Sequence, residues 1–358
     1  MAFKAALPSG STSSPFTLAH AARAAWSCVS DVFSPSPPPP SKDDTADITV
    51  VMTLILLGQL AVLSVVFVFL TPAKGGGRWL PPGDTDKGAY ERFVLAYSPV
   101  WMGVFAVIIA GQLYESFTAH TYMLVCTTLC LPLFIYPFLA PALPSHAPPP
   151  KEASEGDNAS PPSSSTVPSL LQGYPLKATA WLAIYSHIGN YWYTHYFYTV
   201  LGASYSMPSL RLNDVPLPLY FATFFYFSTY HALSNLLLRR VTSGYQRTPA
   251  RGLFLLLLLL ALSYCTAFME TLTISAFPYY SFQDPFMAFT VGSAFYGLYF
   301  LVSFPAFFRL DEFKEGRLSL YQSAMDALGA GMLILILLDA VRLWLNMPLT
   351  MAGQALRY

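Results

Sequence analysis

The stretch Gly252–Ala276, GLFLLLLLLALSYCTAFMETLTISA, decides the fold class. It is longer than the roughly 20 apolar residues that cross the hydrocarbon core of a bilayer, and Glu270 is its only charged residue. Similar runs predict about eight spans and therefore an all-α, polytopic helical bundle. The predicted spans are Ile48–Leu70, Phe93–Leu113, Thr121–Pro141, Ala178–Leu201, Leu217–Leu238, Gly252–Ala276, Met287–Phe308 and Ala324–Leu345.

The composition supports a membrane protein and excludes several classes. Of 358 residues, 54% are hydrophobic and only 11% are charged, whereas soluble domains average about 25% charged residues. The 19 basic and 19 acidic residues leave no basic surplus for nucleic acid. The four cysteines form no CxxC motif, so neither a disulfide framework nor a zinc site is indicated.

The chain divides into a membrane core and less ordered flanks. Residues 71–345 are predicted to form the core, with an additional span at 48–70 before it. A proline- and serine-rich loop at 143–172 and tails at 1–47 and 346–358 are predicted to lack a packed core. The first tail is rich in alanine and serine, which is typical either of a plastid transit peptide or of a simple unstructured extension.

The loops show an alternating charge bias. Basic residues follow the first, fifth and seventh spans, and Arg211 is almost alone on the other side. The positive-inside rule therefore places these basic loops, and the loop with the sequon at Asn158, in the cytosol, so we expect no glycan on Asn158. On the eighth span, Asp339 and Arg342 are three residues apart and predict an intrahelical ion pair.

Polar side chains within the spans point to a site, because they are costly in lipid and normally face the bundle interior. His187, Tyr191, His195 and Tyr198 form a predicted stripe about 16 Å long on the fourth span. The stripe is interpreted either as a pocket wall or as an interfacial aromatic belt, with the pocket wall favoured by its length.

The fifth and sixth spans carry further candidates. His231 and Asn235 lie at helical spacing on the fifth span, where a structural hydrogen bond is the alternative interpretation. Glu270 on the sixth span lies at helical spacing from Thr266, and burial is expected to keep its carboxyl protonated and able to donate a proton. A structural hydrogen-bonded acid is the alternative for Glu270.

The sequence contains no motif that predicts a cofactor. It has too few histidines for the clusters of a membrane di-iron oxygenase, and neither GxGxxG opening a βαβ unit nor GxxxxGK[ST] is present. We therefore expect acid–base chemistry by side chains alone, with no cofactor and no metal.

Four segments carry a resemblance to a known family. They are NYWYTHYFYTVLGASYSMPS (Asn190–Ser209), METLTISAFPYYSF (Met269–Phe282), YFLVSFPAFFRLDE (Tyr299–Glu312) and DALGAGML (Asp326–Leu333). In order and spacing, from about Tyr90 to Trp344, the chain resembles the cycloeucalenol cycloisomerases. The region through the first span and the proline- and serine-rich insert are additional to that pattern, and Leu210 stands where the family usually has tryptophan.

The resemblance implies opening of the 9β,19-cyclopropane ring of cycloeucalenol to give obtusifoliol, in the endoplasmic reticulum membrane during sterol synthesis. It transfers no catalytic residues, so these are predicted from chemistry: Glu270 as the acid, with His195 and His231 as alternative acids or as the base. The predicted substrate-binding residues are His187, Tyr191, Trp192, Tyr198, Asn235, Thr266 and Tyr279. Two other functions stay open, a sterol-binding or transport protein without catalysis and a different sterol double-bond isomerase.

Overall fold

The computed structural model describes residues 42–139, 170–274, 277–313 and 316–347. By its contacts the chain divides into Met1–Val51 and Met52–Tyr358, and the fold below is that of the second unit. Most of the predicted tails, most of the proline- and serine-rich loop and the sequon at Asn158 lie outside the described residues.

Helices account for most of the described chain. They are α1 (Lys42–Phe67), α2 (Asp86–Ala110), α3 (Ala119–Leu139), α4 (Tyr174–Ile188), α5 (Thr194–Val200), α6 (Leu217–Gly244), α7 (Pro249–Ile274), α8 (Pro285–Phe289), α9 (Val291–Arg309) and α10 (Leu320–Trp344). Short 3₁₀ turns lie at Leu113–Ser116 and Leu170–Gln172, and a π-helical turn, Gly189–Tyr193, joins α4 to α5. Four two-residue strands are β1 (Ser204–Tyr205), β2 (Arg211–Leu212), β3 (Val215–Pro216) and β4 (Tyr280–Ser281).

Each predicted span coincides with a helical segment, but six rather than eight qualify by length and composition. These six, among the described residues, are Ile48–Phe67, Asp86–Ala110, Ala119–Leu139, Pro249–Ile274, Pro285–Arg309 and Leu320–Trp344. The α4–α5 segment and α6 do not qualify, and α6 ends with Arg239 and Arg240 in its last turns. The protein is thus an all-α integral membrane protein, and the count of eight spans stays a prediction.

Two helices extend beyond the predicted boundaries, α2 through a capped first turn and α6 through ion pairs in its last turns. The α2 helix begins at Asp86 rather than Phe93, and its first turn is capped by the Thr85 hydroxyl, which accepts from the Gly88 N–H. The α6 helix continues past Leu238 to Gly244, since the Arg239 guanidinium is buried in ion pairs. Apolar runs alone locate neither end.

The loops that follow α1, α6 and α9 meet at one end of the bundle. The Arg78 N–H donates to the Ser243 hydroxyl at 2.8 Å, and Lys87 Nζ donates to the Phe308 carbonyl at 2.9 Å. At the other end β1 pairs with β4, which sets Tyr205 opposite Tyr280. The basic loops therefore share one end, as the predicted topology requires, and the orientation of that end toward the cytosol stays a prediction.

The core is aromatic and its helices approach closely at small residues. Gly297 on α9 lies against the α7 backbone, where an added Cβ would be 3.4 Å from the Ser263 carbonyl oxygen. Gly331 on α10 is tighter, because a Cβ there would lie 2.8 Å from the Ile188 side chain. Small residues at such crossings are typical of helix packing in membranes.

Candidate active site

The π-helical turn Gly189–Tyr193 places polar side chains on the interior face. Asn190 Nδ2 donates to the Ser186 carbonyl at 2.9 Å and also to the Thr223 hydroxyl on α6. The Thr194 hydroxyl donates to the carbonyl of Gly189, five residues earlier, at 3.4 Å. Such single π turns are frequent at functional sites, and this one forms a wall of a buried chamber.

The chamber lies between the π turn, α5, α6, α7, α9 and the loops that carry β1 and β4. Its lining contains a single carboxyl, that of Glu270, with six aromatic rings and several small polar groups. The lining residues are Gly189, Asn190, Thr194, Phe197, Tyr205, Thr223, Phe227, Glu270, Thr271, Ile274, Tyr280, Tyr296 and Tyr299. The burial of Glu270 agrees with the expectation from the sequence, whereas the rings that enclose it are not those of the predicted stripe.

Glu270 is buried, with 9% of its surface exposed, and no basic side chain within the described ranges pairs with it. Its Oε2 atom has no hydrogen-bond partner among the described residues. The Tyr230 and Tyr296 hydroxyls are its nearest polar neighbours. Seven tyrosines lie within electrostatic range of the carboxyl: Tyr185, Tyr205, Tyr226, Tyr230, Tyr280, Tyr296 and Tyr299. Desolvation without a cation favours the neutral acid.

The rings of the wall pack against one another. Tyr296 lies 4.8 Å from Tyr299, and Phe197 lies 4.9 Å from Tyr296, both edge to face. Tyr205 and Tyr280 stack at 4.5 Å in the loops at the end of the chamber. Burial raises the pKa of both loop tyrosines above the usual value, so their hydroxyls stay protonated. The wall is polarisable but contains no phenolate.

The chamber is small, with a volume of about 50 Å³. Pockets for ligands of drug size begin at roughly 300 Å³. A sterol therefore reaches Glu270 only if the surrounding loops or helices move apart.

His231 is fully buried on α6 but does not line the chamber. Its Nδ1 donates to the Phe227 carbonyl at 2.7 Å, because a carbonyl only accepts, and its Nε2 accepts from the Ser303 hydroxyl at 3.0 Å. Both ring nitrogens of His231 thus have hydrogen-bond partners, which agrees with the alternative interpretation of a structural histidine.

His195 is also buried, on α5, and lies outside the described lining of the chamber. Neither of its ring nitrogens has a hydrogen-bond partner among the described residues. Its neighbours are the Tyr198 ring, at 5.6 Å, and the turn Asn213–Asp214. The predicted chamber shared by Glu270, His195 and His231 is thus not formed, since only Glu270 lines it.

The predicted stripe on the fourth span does not face the chamber. His187 is exposed, Trp192 is 46% exposed, and the His187 ring lies 5.0 Å from Tyr220. The interior face is instead the one with Asn190 and Thr194. The predicted stripe depends on an uninterrupted α-helical period. The π turn inserts one extra residue, which rotates the side chains after it to other faces of the helix. Within the stripe only His187 is exposed, while Tyr191 and Tyr198 are half-buried and His195 is buried, so the stripe forms neither a wall of the chamber nor a continuous exposed belt.

The remaining predicted substrate-binding residues also lie away from the chamber lining. Tyr191 and Tyr198 are half-buried, and the Tyr198 hydroxyl donates to the Asp214 carbonyl at 3.1 Å. The Thr266 hydroxyl donates to the Leu262 carbonyl of its own helix at 2.7 Å. Tyr279 packs edge to face on Tyr114 at 6.1 Å, in the loop that carries β4.

Asn235 belongs to a second buried group at the basic end of the bundle. Its Nδ2 donates to Glu91 Oε1 at 2.8 Å, and Arg239 binds Glu91 Oε2 at 2.7 Å and Glu312 Oε2 at 2.8 Å. Lys87 Nζ lies 2.9 Å from the same Glu312 oxygen. Two cations and two carboxylates therefore neutralise one another, and we name this group the charge cluster.

Several residues of the chamber were not predicted as site residues. Thr223, Phe227, Tyr296 and Tyr299 come from helices whose sequence shows many aromatic residues and no distinctive spacing. Tyr205 and Tyr280 lie in loops, outside the predicted spans whose polar side chains indicated a site. The sequence did contain a partial indication of these two tyrosines. Tyr205 follows a run rich in tyrosine, and Tyr280 lies ten residues after Glu270.

The fold and the chamber define a class: an integral membrane protein with a lone carboxyl enclosed by aromatic rings. No family model matches the chain, and no solved structure matches it. Among curated proteins, the chain is 38% identical over 273 residues to the cycloeucalenol cycloisomerase of Arabidopsis thaliana, an alignment that covers 75% of this chain and 89% of the relative. The chain belongs to the cycloeucalenol cycloisomerase family, as its motifs indicated.

Proposed function

We propose that this protein opens the 9β,19-cyclopropane ring of cycloeucalenol to give obtusifoliol. The observation that carries the proposal is the single buried acid of the chamber, in a chain whose relative is named for this isomerisation. The change is an isomerisation, so no electrons are gained or lost and protons are the only particles that must move. A site with one acid and non-nucleophilic walls suits that requirement.

Glu270 supplies the proton. Its neutral carboxyl protonates the cyclopropane methylene, carbon 19, and the bond between carbons 9 and 19 breaks. The electron pair of that bond forms the new C–H bond, and a tertiary cation remains at carbon 9. A buried carboxyl without a cationic partner stays neutral, so its proton is available for transfer, and the carboxylate that remains is stabilised by the substrate cation beside it.

The carboxylate left on Glu270 then removes the proton from carbon 8. The electrons of that C–H bond form the double bond between carbons 8 and 9, and the acid is regenerated. One carboxyl thus serves first as the acid and then as the base. We prefer this to His195 or His231 as the base because neither histidine lines the described chamber.

The rings protect the cation during its lifetime. Each aromatic face contributes about 2 kcal/mol when the cation is desolvated, and Phe197, Tyr296 and Tyr299 provide three such faces in mutual contact. Substrate that fills a chamber lined by rings leaves no room for water that would convert the cation to an alcohol. The Asn190 and Thr223 pair is the polar group of the wall best suited to bind the sterol hydroxyl.

The proposed location is the endoplasmic reticulum membrane, with delivery to plastids by the first 47 residues as the alternative. The lipid bilayer and the sterol are the partners that the reaction requires. A fluorescent fusion of the full chain, with and without residues 1–47, distinguishes the two locations.

One assay separates the candidate functions. Membranes from cells that express the chain are given cycloeucalenol without added cofactor, and products are separated by gas chromatography and identified by mass spectrometry. We expect obtusifoliol. Binding of cycloeucalenol without conversion would support a sterol-binding protein, and conversion only of a substrate that already has a ring double bond would support a different isomerase.

A further inference from the structure

A second cavity, larger than the chamber, lies between α1, α7 and α9. Its volume is about 490 Å³, within the range of small-molecule sites. The α1 wall is formed by Gly58, Gln59, Val62 and Leu63, and the other walls by Leu257, Leu260, Ala261, Ser263, Tyr264, Ala294, Gly297, Leu298 and Leu301. We name this cavity the outer groove.

The α1 helix contacts the bundle on both sides of the outer groove. Phe67 packs on Tyr245 and Phe254, each at 5.8 Å, and the chain after α1 hydrogen bonds to the end of α6. Halfway along α1, the Cys265 thiol reaches Gln59 Oε1 at 3.6 Å. Between these points α1 and the α7–α9 pair diverge and leave an open apolar cleft.

The outer groove contains a buried polar group that the protein does not satisfy. Ser263 is 3% exposed, and its hydroxyl has no hydrogen-bond partner among the described residues. The nearby Thr266 and Thr271 hydroxyls both donate to carbonyls of their own helix, so helical back-bonding does not explain Ser263. An unpaired hydroxyl in the hydrocarbon region is costly, and a ligand hydroxyl would pair with it.

The lining selects one class of ligand. No charged residue contributes to the described lining, and the groove lies at the middle of α7, so a phospholipid headgroup has neither a partner nor suitable depth there. The walls extend roughly 10 Å along α7, from Leu257 to Tyr264. A rigid ring system loses less conformational freedom on binding than an acyl chain. An apolar, rigid molecule with one hydroxyl fits all three features.

We propose that the outer groove binds a sterol, with its hydroxyl at Ser263 and Gln59. The α7–α9 pair separates this groove from the chamber, because Ser263 and Gly297 line the groove while Glu270 and Tyr296 line the chamber. A sterol of the membrane thus docks on the outer side of the helices that carry the acid. The inference rests on the proposed sterol substrate but not on the role of Glu270.

The test uses the full chain in phosphatidylcholine nanodiscs and a photoactivatable sterol with a side-chain diazirine, with labelled peptides mapped by mass spectrometry. Gly58→Phe fills the groove without strain, since a Cβ at Gly58 meets nothing within 4 Å. Gly103→Phe is the matched control, because Gly103 on α2 is equally open and lies outside this lining. We expect labelling of α1 and α7 peptides to fall about tenfold in Gly58→Phe only.

A second pair of variants removes one hydroxyl. Ser263→Ala should reduce the labelling about fivefold, the value of one hydrogen bond. Ser64→Ala should not, because the Ser64 hydroxyl already donates to the Leu60 carbonyl at 2.8 Å. Equal labelling of Gly58→Phe and Gly103→Phe would overturn the proposal. So would displacement of the probe by an excess of a long-chain fatty alcohol as readily as by cycloeucalenol, which would identify an acyl-chain groove.

Failure of this inference and failure of the proposed function give different results. If the wild-type protein converts no cycloeucalenol but the labelling falls in the Gly58 and Ser263 variants, the proposed function is wrong and the sterol site in the groove is retained. If cycloeucalenol is converted but the labelling is unchanged in both the Gly58 and the Ser263 variants, the proposed sterol site in the groove is wrong and the proposed function is retained. With both correct, Gly58→Phe raises KM with little change in kcat, and Glu270→Gln keeps the labelling.

Discussion

Glu91 and Glu270 are both carboxyls buried in membrane-spanning helices, but their surroundings are opposite. Glu91 accepts from Arg239 and Asn235, and the charge cluster around it holds as many cations as carboxylates. Glu270 has tyrosines around it and no cation, and one of its oxygens lacks a partner within the described residues. A buried acid that is paired holds helices together, whereas a buried acid that is left alone stays neutral and is available for proton transfer.

The comparison predicts that amide substitution separates activity from stability. Glu270→Gln should reduce kcat by about 10³-fold, within the range for loss of a general acid, and leave the melting temperature in detergent nearly unchanged. Glu91→Gln should do the reverse, because it leaves Arg239 without its buried partner. The measurements are cofactor-free turnover and thermal unfolding. Full turnover by Glu270→Gln would remove the lone acid from the mechanism.

The charge cluster should be the most sensitive part of the fold. Arg239→Met leaves Glu91, which is 1% exposed, without its ion pair, and breaking a buried pair costs about 3–5 kcal/mol. Arg342→Met is the control, since its pair with Asp339 is the predicted intrahelical one and is partly exposed. That loss should be about 1 kcal/mol or less. Equal melting temperatures for the two variants would contradict a structural role for the cluster.

The aromatic wall should contribute to rate and not to binding. Phe197→Leu removes a ring 4.9 Å from Tyr296 and 5.7 Å from Tyr299, and we expect kcat to fall by about 30-fold, equivalent to about 2 kcal/mol. Tyr299→Phe keeps the ring and should be nearly silent, because no described residue hydrogen bonds to its hydroxyl. A fall of equal size in Tyr299→Phe would mean that the hydroxyl, and not the ring, carries the effect.

The sequence predicted the helices better than their faces. Each long apolar run coincides with a helical segment, and the rarity of a charge within such a run is the reason that Glu270 was predicted as a site residue. The chamber wall was mispredicted because periodicity assumes an unbroken α-helix, and the π turn at Gly189–Tyr193 is not visible in residue types. Asn235 was assigned to substrate for a related reason, since its partner Glu91 lies far away in sequence, on α2. The role of a polar residue depends on its partner on another helix, and the sequence of a single helix does not contain that information.

The pH dependence of stability should reveal the cluster. Burial alone would raise the pKa of Glu312, but hydrogen bonds from Arg239 and the charge of Lys87 outweigh it and lower the pKa below its ordinary value of 4.5. A carboxyl with a lowered folded-state pKa contributes stability above the unfolded pKa and loses it as the pH falls toward the folded one. We expect the melting temperature to decline below about pH 4.5 and this decline to be weaker in Glu312→Gln. Identical acid profiles would show that Glu312 is not the group that titrates.

His195 provides the sharpest test of the comparison because it resembles Glu270 in one respect and differs in another. Both are buried, and both have side-chain atoms without a hydrogen-bond partner among the described residues, but only Glu270 lines the chamber. If position decides, His195→Gln should keep turnover within about threefold of wild type, the effect of a small local perturbation. His231→Gln is a poor control, since both ring nitrogens of His231 are bonded and the variant would lose stability. A hundredfold loss in His195→Gln, with the melting temperature unchanged, would mean that the imidazole reaches the substrate when the chamber widens to admit it. His195 would then be the base. In that case a buried polar atom without a hydrogen-bond partner would be the feature that identifies both the acid and the base.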